Sequence, residues 1–322
     1  MGCWRRKTHI MAVGNENNDG SRLPPWIRTR YFGSGSQDVV NELLADQSLH
    51  TVCQGAHCPN QHECFSRGVA TFMILGDVCT RNCRFCAVTT GEPGVVDSDE
   101  PRRVAEAAAR LKLRHAVITS VTRDDLPDGG AGHFAATIRR LHEQISGVTV
   151  EALTPDFKGV HGDIDTVLTA GPDVFNHNLE TVRRLQKDIR PAADYDRSLA
   201  VLAYVAEEAG RVNDHGMGDL KQNGPRHTLV KSGLMVGLGE TDAEIMEAMS
   251  DLRAAGVDLL TIGQYLAPSG GHASVHRYVP PAQFDDYARR GLAMGFKNVA
   301  SGPLVRSSYR ADAQYHGESS CV

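Results

Sequence analysis

Six cysteines between residues 53 and 86 form two triads of unequal spacing, Cys53-x4-Cys58-x5-Cys64 and Cys79-x3-Cys83-x2-Cys86. Each triad offers three thiolates, whereas a closed zinc site or a closed iron–sulfur cluster takes four protein ligands. Three cysteines on a cubane cluster leave one iron free, and an open coordination position is where metal chemistry takes place. Disulfide frameworks belong to secreted chains well under ~100 residues, and this chain has 322. Zinc sites pair C-x2-C arms across a longer loop, with four ligands in all; only Cys83-x2-Cys86 has that spacing. Cys3 and Cys321 lie in the terminal stretches and are expected to be idle.

Composition bounds the setting of these ligands. Charged residues are 23% and hydrophobic ones 41% of the chain, which is ordinary for a globular enzyme. A formal net charge of −5 gives no support to nucleic-acid or anionic-membrane binding, which needs a basic excess. No apolar run approaches the ~18 residues that span a bilayer, and the expected location is the cytoplasm. The start Met-Gly-Cys invites a myristoylation reading, but Arg6 stands where Ser or Thr is required. The stretch 8–14 is too short for a signal-peptide apolar region. Residues 1–22 are expected to form a disordered leader, with Met11 as an alternative start.

Beyond the leader the pattern predicts an N-terminal extension over 23–69, a repeating core over 70–296 and a tail over 297–322. A short helix is expected at 39–49. Apolar runs predict strands at 71–75, 116–121, 148–153, 173–177, 229–236 and 259–264, and amphipathic spacing predicts helices at 101–113, 133–145, 164–169, 195–209 and 242–255. Ser98 and Asp99 are capping candidates before Pro101. Thr241 with Glu244 three residues on makes a capping box. Alternating strands and helices imply a parallel sheet with right-handed crossovers. The loops richest in chemistry, 77–86, 122–130 and 178–181, all follow strand C-termini, the functional face of a barrel. The expected fold is α/β, a partial (β/α)6 TIM-type barrel with a wide mouth. Residues 210–226, rich in Gly, Asn and Asp, are expected to be a flexible insertion in which His215 is solvated.

The second triad, with Phe85 just before its last cysteine, matches the spacing of the radical S-adenosylmethionine (SAM) enzymes. Within that superfamily the chain resembles the lipoyl synthases. The resemblance is carried by 49–53 (LHTVC), 56–60 (AHCPN), 70–77 (ATFMILGD), 79–86 (CTRNCRFC), 120–130 (SVTRDDLPDGG), 153–157 (LTPDF) and 175–182 (FNHNLETV). It continues through 231–241 (KSGLMVGLGET), 263–266 (GQYL) and 294–296 (MGF) to 302–309 (GPLVRSSY). Gln54 and Gly55 stand where that family often has acidic residues, and the 210–226 insertion is longer than its usual turn.

The resemblance implies two 4Fe–4S clusters per subunit and insertion of sulfur at C6 and C8 of an octanoyl chain on a carrier lysine. Cys79, Cys83 and Cys86 would hold the cluster that binds SAM. Its cleavage would give methionine and a 5′-deoxyadenosyl radical able to attack an unactivated C–H bond, chemistry beyond acid–base side chains. Cys53, Cys58 and Cys64 would hold an auxiliary cluster, carried by the two extensions, that donates the sulfurs. Asn178 and Glu180 match ribose-binding positions of the similar biotin synthases, and Arg123, Asp124 and Asp125 are candidates for the methionine end of SAM. The first triad lacks a fourth ligand, and a hard serine oxygen suits an iron that is to be released. The resemblance points to Ser308 rather than Ser307, so the tail must fold back to the extension. Implied partners are octanoylated carrier domains of the glycine cleavage H protein or 2-oxoacid dehydrogenase E2 type. A ferredoxin or flavodoxin type electron donor and an iron–sulfur carrier for cluster rebuilding are implied as well. A different radical SAM enzyme would not need the first triad and the terminal Ser-Ser-Tyr, and a non-enzymatic iron–sulfur or zinc scaffold would not need the barrel.

Overall fold

The computed structural model describes residues 23–27, 35–67, 69–214 and 228–318; the leader, His215, most of the insertion, Cys3 and Cys321 lie outside them. Strands β1 (His50–Thr51), β2 (Thr71–Ile74), β5 (His115–Ser120), β6 (Thr149–Leu153), β7 (Val174–Asn176), β8 (Leu229–Val236), β9 (Leu259–Gln264) and β10 (Asn298–Gly302) form one sheet in that spatial order. β1 is antiparallel to β2, and every later pair is parallel, as in Thr71↔Val117 between β2 and β5. β3 (Val78–Cys79) and β4 (Thr89–Thr90) make a separate two-stranded clip. The helices are α1 (Gly35–Asp46), α2 (Val52–Gly55), α3 (Gln61–Ser66), α4 (Glu100–Arg110), α5 (Ala131–Gln144), α6 (His161–Thr169), α7 (Gln186–Ile189), α8 (Tyr195–Asp214), α9 (Asp242–Ala254), α10 (Pro281–Ala293) and α11 (Ala311–Tyr315). The sheet with its crossover helices is a partial TIM-type barrel.

β2 and β9 are buried at every position, because the barrel interior covers one face and the helix layer the other. The six predicted strands all occur within one residue of their expected limits. Two elements were not expected. α10 buries Phe284, Tyr287 and Gly291 on one face, and β10 adds a seventh parallel strand, so the sheet continues past residue 296. α8 runs through Gly210 to Asp214, five residues beyond its predicted end and into the expected insertion. A glycine costs a helix only about 1 kcal/mol, which a twenty-residue helix absorbs. At α4, Asp99 does not cap; its carboxylate accepts from Arg102 Nε and Nη2 at 2.8 and 2.6 Å instead. The Thr241–Glu244 capping box of α9 is present with both reciprocal bonds.

Two contacts steer the chain from β2 into the second cysteine loop. Leu75 and Gly76 are both left-handed, at φ 68° and 89°. The buried Glu100 carboxylate accepts from Leu75 N at 2.8 Å and stands 2.7 Å from His133 Nε2. A Cβ at Gly130, itself at φ 90°, would collide with the Leu75 side chain, so that position needs glycine.

The barrel interior holds a buried ion pair. Lys231 Nζ lies 3.0 and 2.9 Å from the two Glu151 oxygens, and Asn176 Nδ2 donates to Oε1 at 2.8 Å. Burial raises the Glu151 carboxyl, but the Lys231 charge, His115 and the Lys231 hydrogen bonds together outweigh it and hold the group down to about 2. His177, also buried, has Nδ1 2.9 Å from Thr154 O and Nε2 3.1 Å from Ser198 Oγ. That pairing suits the neutral ring, with Nδ1–H donating and Nε2 accepting, and burial lowers its pKa from 6.5 to about 4.

A depressed histidine pKa means that the unfolded chain binds the extra proton first, so stability falls as pH drops from about 6.5 toward about 4. The loss should be on the order of 3 kcal/mol over that window. Thermal unfolding measured against pH is expected to show it, and a His177→Gln variant should lose less over the same range. Equal slopes would assign the acid sensitivity to other groups.

Candidate functional site

The second triad sits on the loop that leaves β2 and passes through the clip. Cys79 ends β3, and its Sγ accepts from the N–H of Arg81 at 3.4 Å and of Thr122 at 3.3 Å. Thr80 N and Oγ1 both donate to Thr122 O, at 3.0 and 2.9 Å, which ties the loop to the end of β5. Further on, Arg84 N donates to Ile189 O at 2.9 Å, Ala273 N to Arg84 O at 2.8 Å, and His272 Nε2 stands 3.1 Å from Cys86 O. Phe85 packs on a small cluster of Ile189, Leu238, Tyr265 and Ala273, which closes that side of the loop.

Asn178 and Glu180 follow β7 at the barrel mouth. Glu180 is left-handed at φ 70°, and its backbone bridges to β8 through Glu180 N→Gly233 O at 2.9 Å and Met235 N→Glu180 O at 2.8 Å. Asn178 Nδ2 donates to Glu180 Oε1 at 3.1 Å. Arg190 joins this pair to the triad: Nη1 donates to the carbonyls of Asn178 and Leu179 at 3.1 and 3.2 Å, and its charge acts on the Cys83 thiol. The other three candidates have partners inside the protein. Arg123 points inward, bonding Asp125 and the carbonyls of Leu75 and Gly94, while Asp124 takes the Nε–Nη2 edge of Arg81 at 2.6 and 2.8 Å.

The first triad is built by the extension. Thr51 caps α2, accepting from Gln54 N at 3.3 Å, and sets Cys53 in the core; Cys58 follows in a turn and Cys64 lies on α3. The C-terminal segment completes the wall. Asn60 Nδ2 donates to Leu304 O at 2.6 Å and Tyr309 OH to Glu63 Oε1 at 3.3 Å, two staples between the chain's ends. The tail can lie this deep because Gly263 on β9 has no side chain; a Cβ there would collide with Val305 O. The result is a small pocket lined by Cys53, Cys58, Cys64, Arg306, Ser308 and Tyr309. The two serines face different sites: Ser308 lines this cavity, whereas Ser307 Oγ accepts from Asn178 Nδ2 at 2.6 Å.

All six cysteines are free. Burial raises Cys53 to about 11 and Cys64 to about 12, with the neighbouring thiols adding to it. Burial likewise raises Cys86 to about 11, and raises Cys83 against the pull of Arg190. Such thiols stay protonated at neutral pH until a metal displaces the proton. Among the described residues, no three His, Cys, Asp or Glu side chains converge tightly enough for one shared metal ion. A cubane does not require that, because each thiolate takes a different iron. By donor type, each triad offers three soft thiols, the number that a cubane with one open iron takes. Arg190 was not singled out in the sequence; Arg81, Asn60 and Arg306 stand inside the motifs 79–86, 56–60 and 302–309 but were given no role of their own.

A radical SAM superfamily model matches residues 73–252 of the chain. The chain is 55% identical over 293 residues to a lipoyl synthase of Caldanaerobacter subterraneus, covering 90% of this chain and 96% of that one. It is 53% identical to lipoyl synthases of Thermus thermophilus, covering 90% and 85%, and of Rubrobacter xylanophilus, covering 96% and 91%. Among solved structures, the FeFe-hydrogenase maturase HydG from Carboxydothermus hydrogenoformans superposes with a TM-score of 0.53 at 10% identity, covering 88% of this chain and 68% of that one. Streptococcus suis SuiB bound to S-adenosylmethionine superposes with a TM-score of 0.52 at 10% identity, covering 76% and 54%. These two likenesses concern the fold.

Proposed function

This chain belongs to the lipoyl synthase family of the radical SAM superfamily, and we propose that it inserts two sulfur atoms, at C6 and C8, into an octanoyl chain carried on a lysine of a carrier domain. Cys79, Cys83 and Cys86 would hold one 4Fe–4S cluster with SAM, and Cys53, Cys58, Cys64 and Ser308 a second. When bound, the first supplies the one-electron cleavage of SAM that begins hydrogen abstraction, and the second supplies sulfur. The carriers are of the glycine cleavage H protein or 2-oxoacid dehydrogenase E2 type. The electron comes from a ferredoxin or flavodoxin type donor, and an iron–sulfur carrier restores the consumed sulfur. The setting is the cytoplasm; among the described residues no helix is long and apolar enough to cross a membrane.

The observation that carries this reading is the back-to-back placing of Ser307 and Ser308. One substrate carbon has to be reached first from the SAM side and then from the sulfur side. A turn closed by Tyr309 N→Arg306 O at 3.0 Å has one serine bonded to Asn178 and the next lining the first triad's cavity. Asn178 and Glu180 offer an amide and a carboxylate to ribose hydroxyls. Arg190 links this segment to Cys83, bonding the Asn178 and Leu179 carbonyls while its charge acts on the thiol. Asp124 and Asp125 keep part of their carboxylates exposed for an ammonium group, while Arg123 holds their loop. The Phe85 cluster and the His272 contact pack against the Cys86 side.

The direct test is the mass of an octanoyl-lysine peptide after incubation with reduced protein and SAM. A gain of two sulfur atoms is expected, and an unchanged peptide beside cleaved SAM would overturn the proposal. Ser308→Ala should cut the dithiolated product roughly tenfold or more and leave the auxiliary iron labile. Ser307→Ala should act instead on SAM affinity. Full thiolation by Ser308→Ala, with its iron intact, would remove Ser308 as a ligand.

A further inference from the structure

Arg81 lies two residues after Cys79 and two before Cys83, on a loop where Asn82 and Arg84 are exposed, yet it is only 8% exposed. Its Nε donates to Asp124 Oδ2 at 2.6 Å, and Nη2 to Asp124 Oδ1 and Asp156 Oδ1, each at 2.8 Å. Asp124 stands on the loop after β5 and Asp156 on the loop after β6, so one guanidinium grips two barrel loops. Asp156 is engaged again by Arg197 Nε at 2.8 Å and by Lys158 N at 3.1 Å. Two arginines against two aspartates leave the group neutral. The clamp therefore puts no net charge beside the cysteines; what it fixes is position. The Arg81 main chain is held as well, its N–H on Cys79 Sγ and its carbonyl accepting from Thr90 Oγ1 at 3.2 Å.

We propose that Arg81 is the positioning residue of the second triad, its clamp on Asp124 and Asp156 setting the loop geometry in which Cys79, Cys83 and Cys86 hold a cluster able to bind SAM. The role rests on the assignment of that triad to the SAM cluster made above. It needs a planar two-edged fork; a lysine supplies the charge from a single point and cannot span both carboxylates in the same way.

The test is anaerobic reconstitution with iron and sulfide, followed by iron counting and electron paramagnetic resonance of the reduced protein with and without SAM. The unmodified protein should take up about eight irons per chain and the Cys79/Cys83/Cys86→Ala variant about four. Arg81→Met should fall toward about four and lose the spectral change caused by SAM, with Arg81→Lys restoring part of both. Because Arg81→Met leaves buried carboxylates short of a cation, the charge-balanced Arg81→Met/Asp156→Asn variant is measured beside it. Positioning predicts the same iron and spectral loss in the double variant, with its unfolding temperature restored. Recovery of the spectral change in the double variant would reduce Arg81 to charge balance and overturn the proposal, as would normal iron and spectra in Arg81→Met. An unmodified protein that takes up only about four irons would overturn the two-site reading and this proposal with it.

Discussion

Alanine at Cys79, Cys83 and Cys86 together is expected to abolish 5′-deoxyadenosine formation while about four irons per chain remain. The asymmetry of the two sites is the reason. The first triad's cavity is closed by the tail, with Arg306, Ser308 and Tyr309 in its wall. A cluster there would have an oxygen ligand where SAM would need a vacant iron. At the second triad the tail contributes Ser307, which accepts from Asn178 Nδ2 at 2.6 Å. Beyond Cys83 stand Arg190, Asn178 and Glu180, the polar groups suited to a charged, ribose-bearing cosubstrate. Loss of the three thiols leaves β3 and the Thr80–Thr122 bonds in place, so the barrel should still fold. Chromatography of the nucleoside product on the reconstituted variant decides the matter. Continued SAM cleavage by a variant holding one cluster would exchange the roles of the triads.

What the sequence disclosed and what it concealed divide along physical lines. Strands covered on both faces announce themselves as apolar runs, so Phe72-Met73-Ile74 and Ala116-Val117-Ile118 were legible. β10 was not, because Asn298, Ser301 and Gly302 break its apolar pattern and its place is settled only by pairing with β9. The cysteine triads were legible because ligand spacing is local. The contacts that complete each site join residues far apart in the chain: Asn60 with Leu304, Asn178 with Ser307, Arg81 with Asp156. No periodicity carries such information. Arg123 shows the matching limit. A loop's position on the barrel mouth could be read, but not that Arg123 turns inward to the Leu75 and Gly94 carbonyls. Adjacent serines pose the same problem more sharply, since a turn sends Ser307 to one site and Ser308 to the other.

Removal of Cys53, Cys58 and Cys64 should have the opposite consequence: SAM cleavage persists, and no sulfur reaches the substrate. The first triad belongs to α2, α3 and the turn between them, outside the barrel layer that carries the second. None of the bonds that hold Cys79, Arg84 or Cys86, to Thr122, Ile189, Ala273 and His272, involves the extension. The structural cost is modest. Cys53 is buried in the main core, and trimming its sulfur should cost about 1 kcal/mol, too little to unfold a barrel of this size. The variant would then cleave SAM and abstract hydrogen beside a site with no sulfur to give. Deoxyadenosine should accumulate while the octanoyl-lysine peptide keeps its mass. The two readouts must be taken on the same sample with its iron counted, because a shared collapse would mimic a shared role. A folded variant that retains about four irons yet forms no deoxyadenosine would show that the first triad works in radical generation, and the separation of the two sites would be wrong.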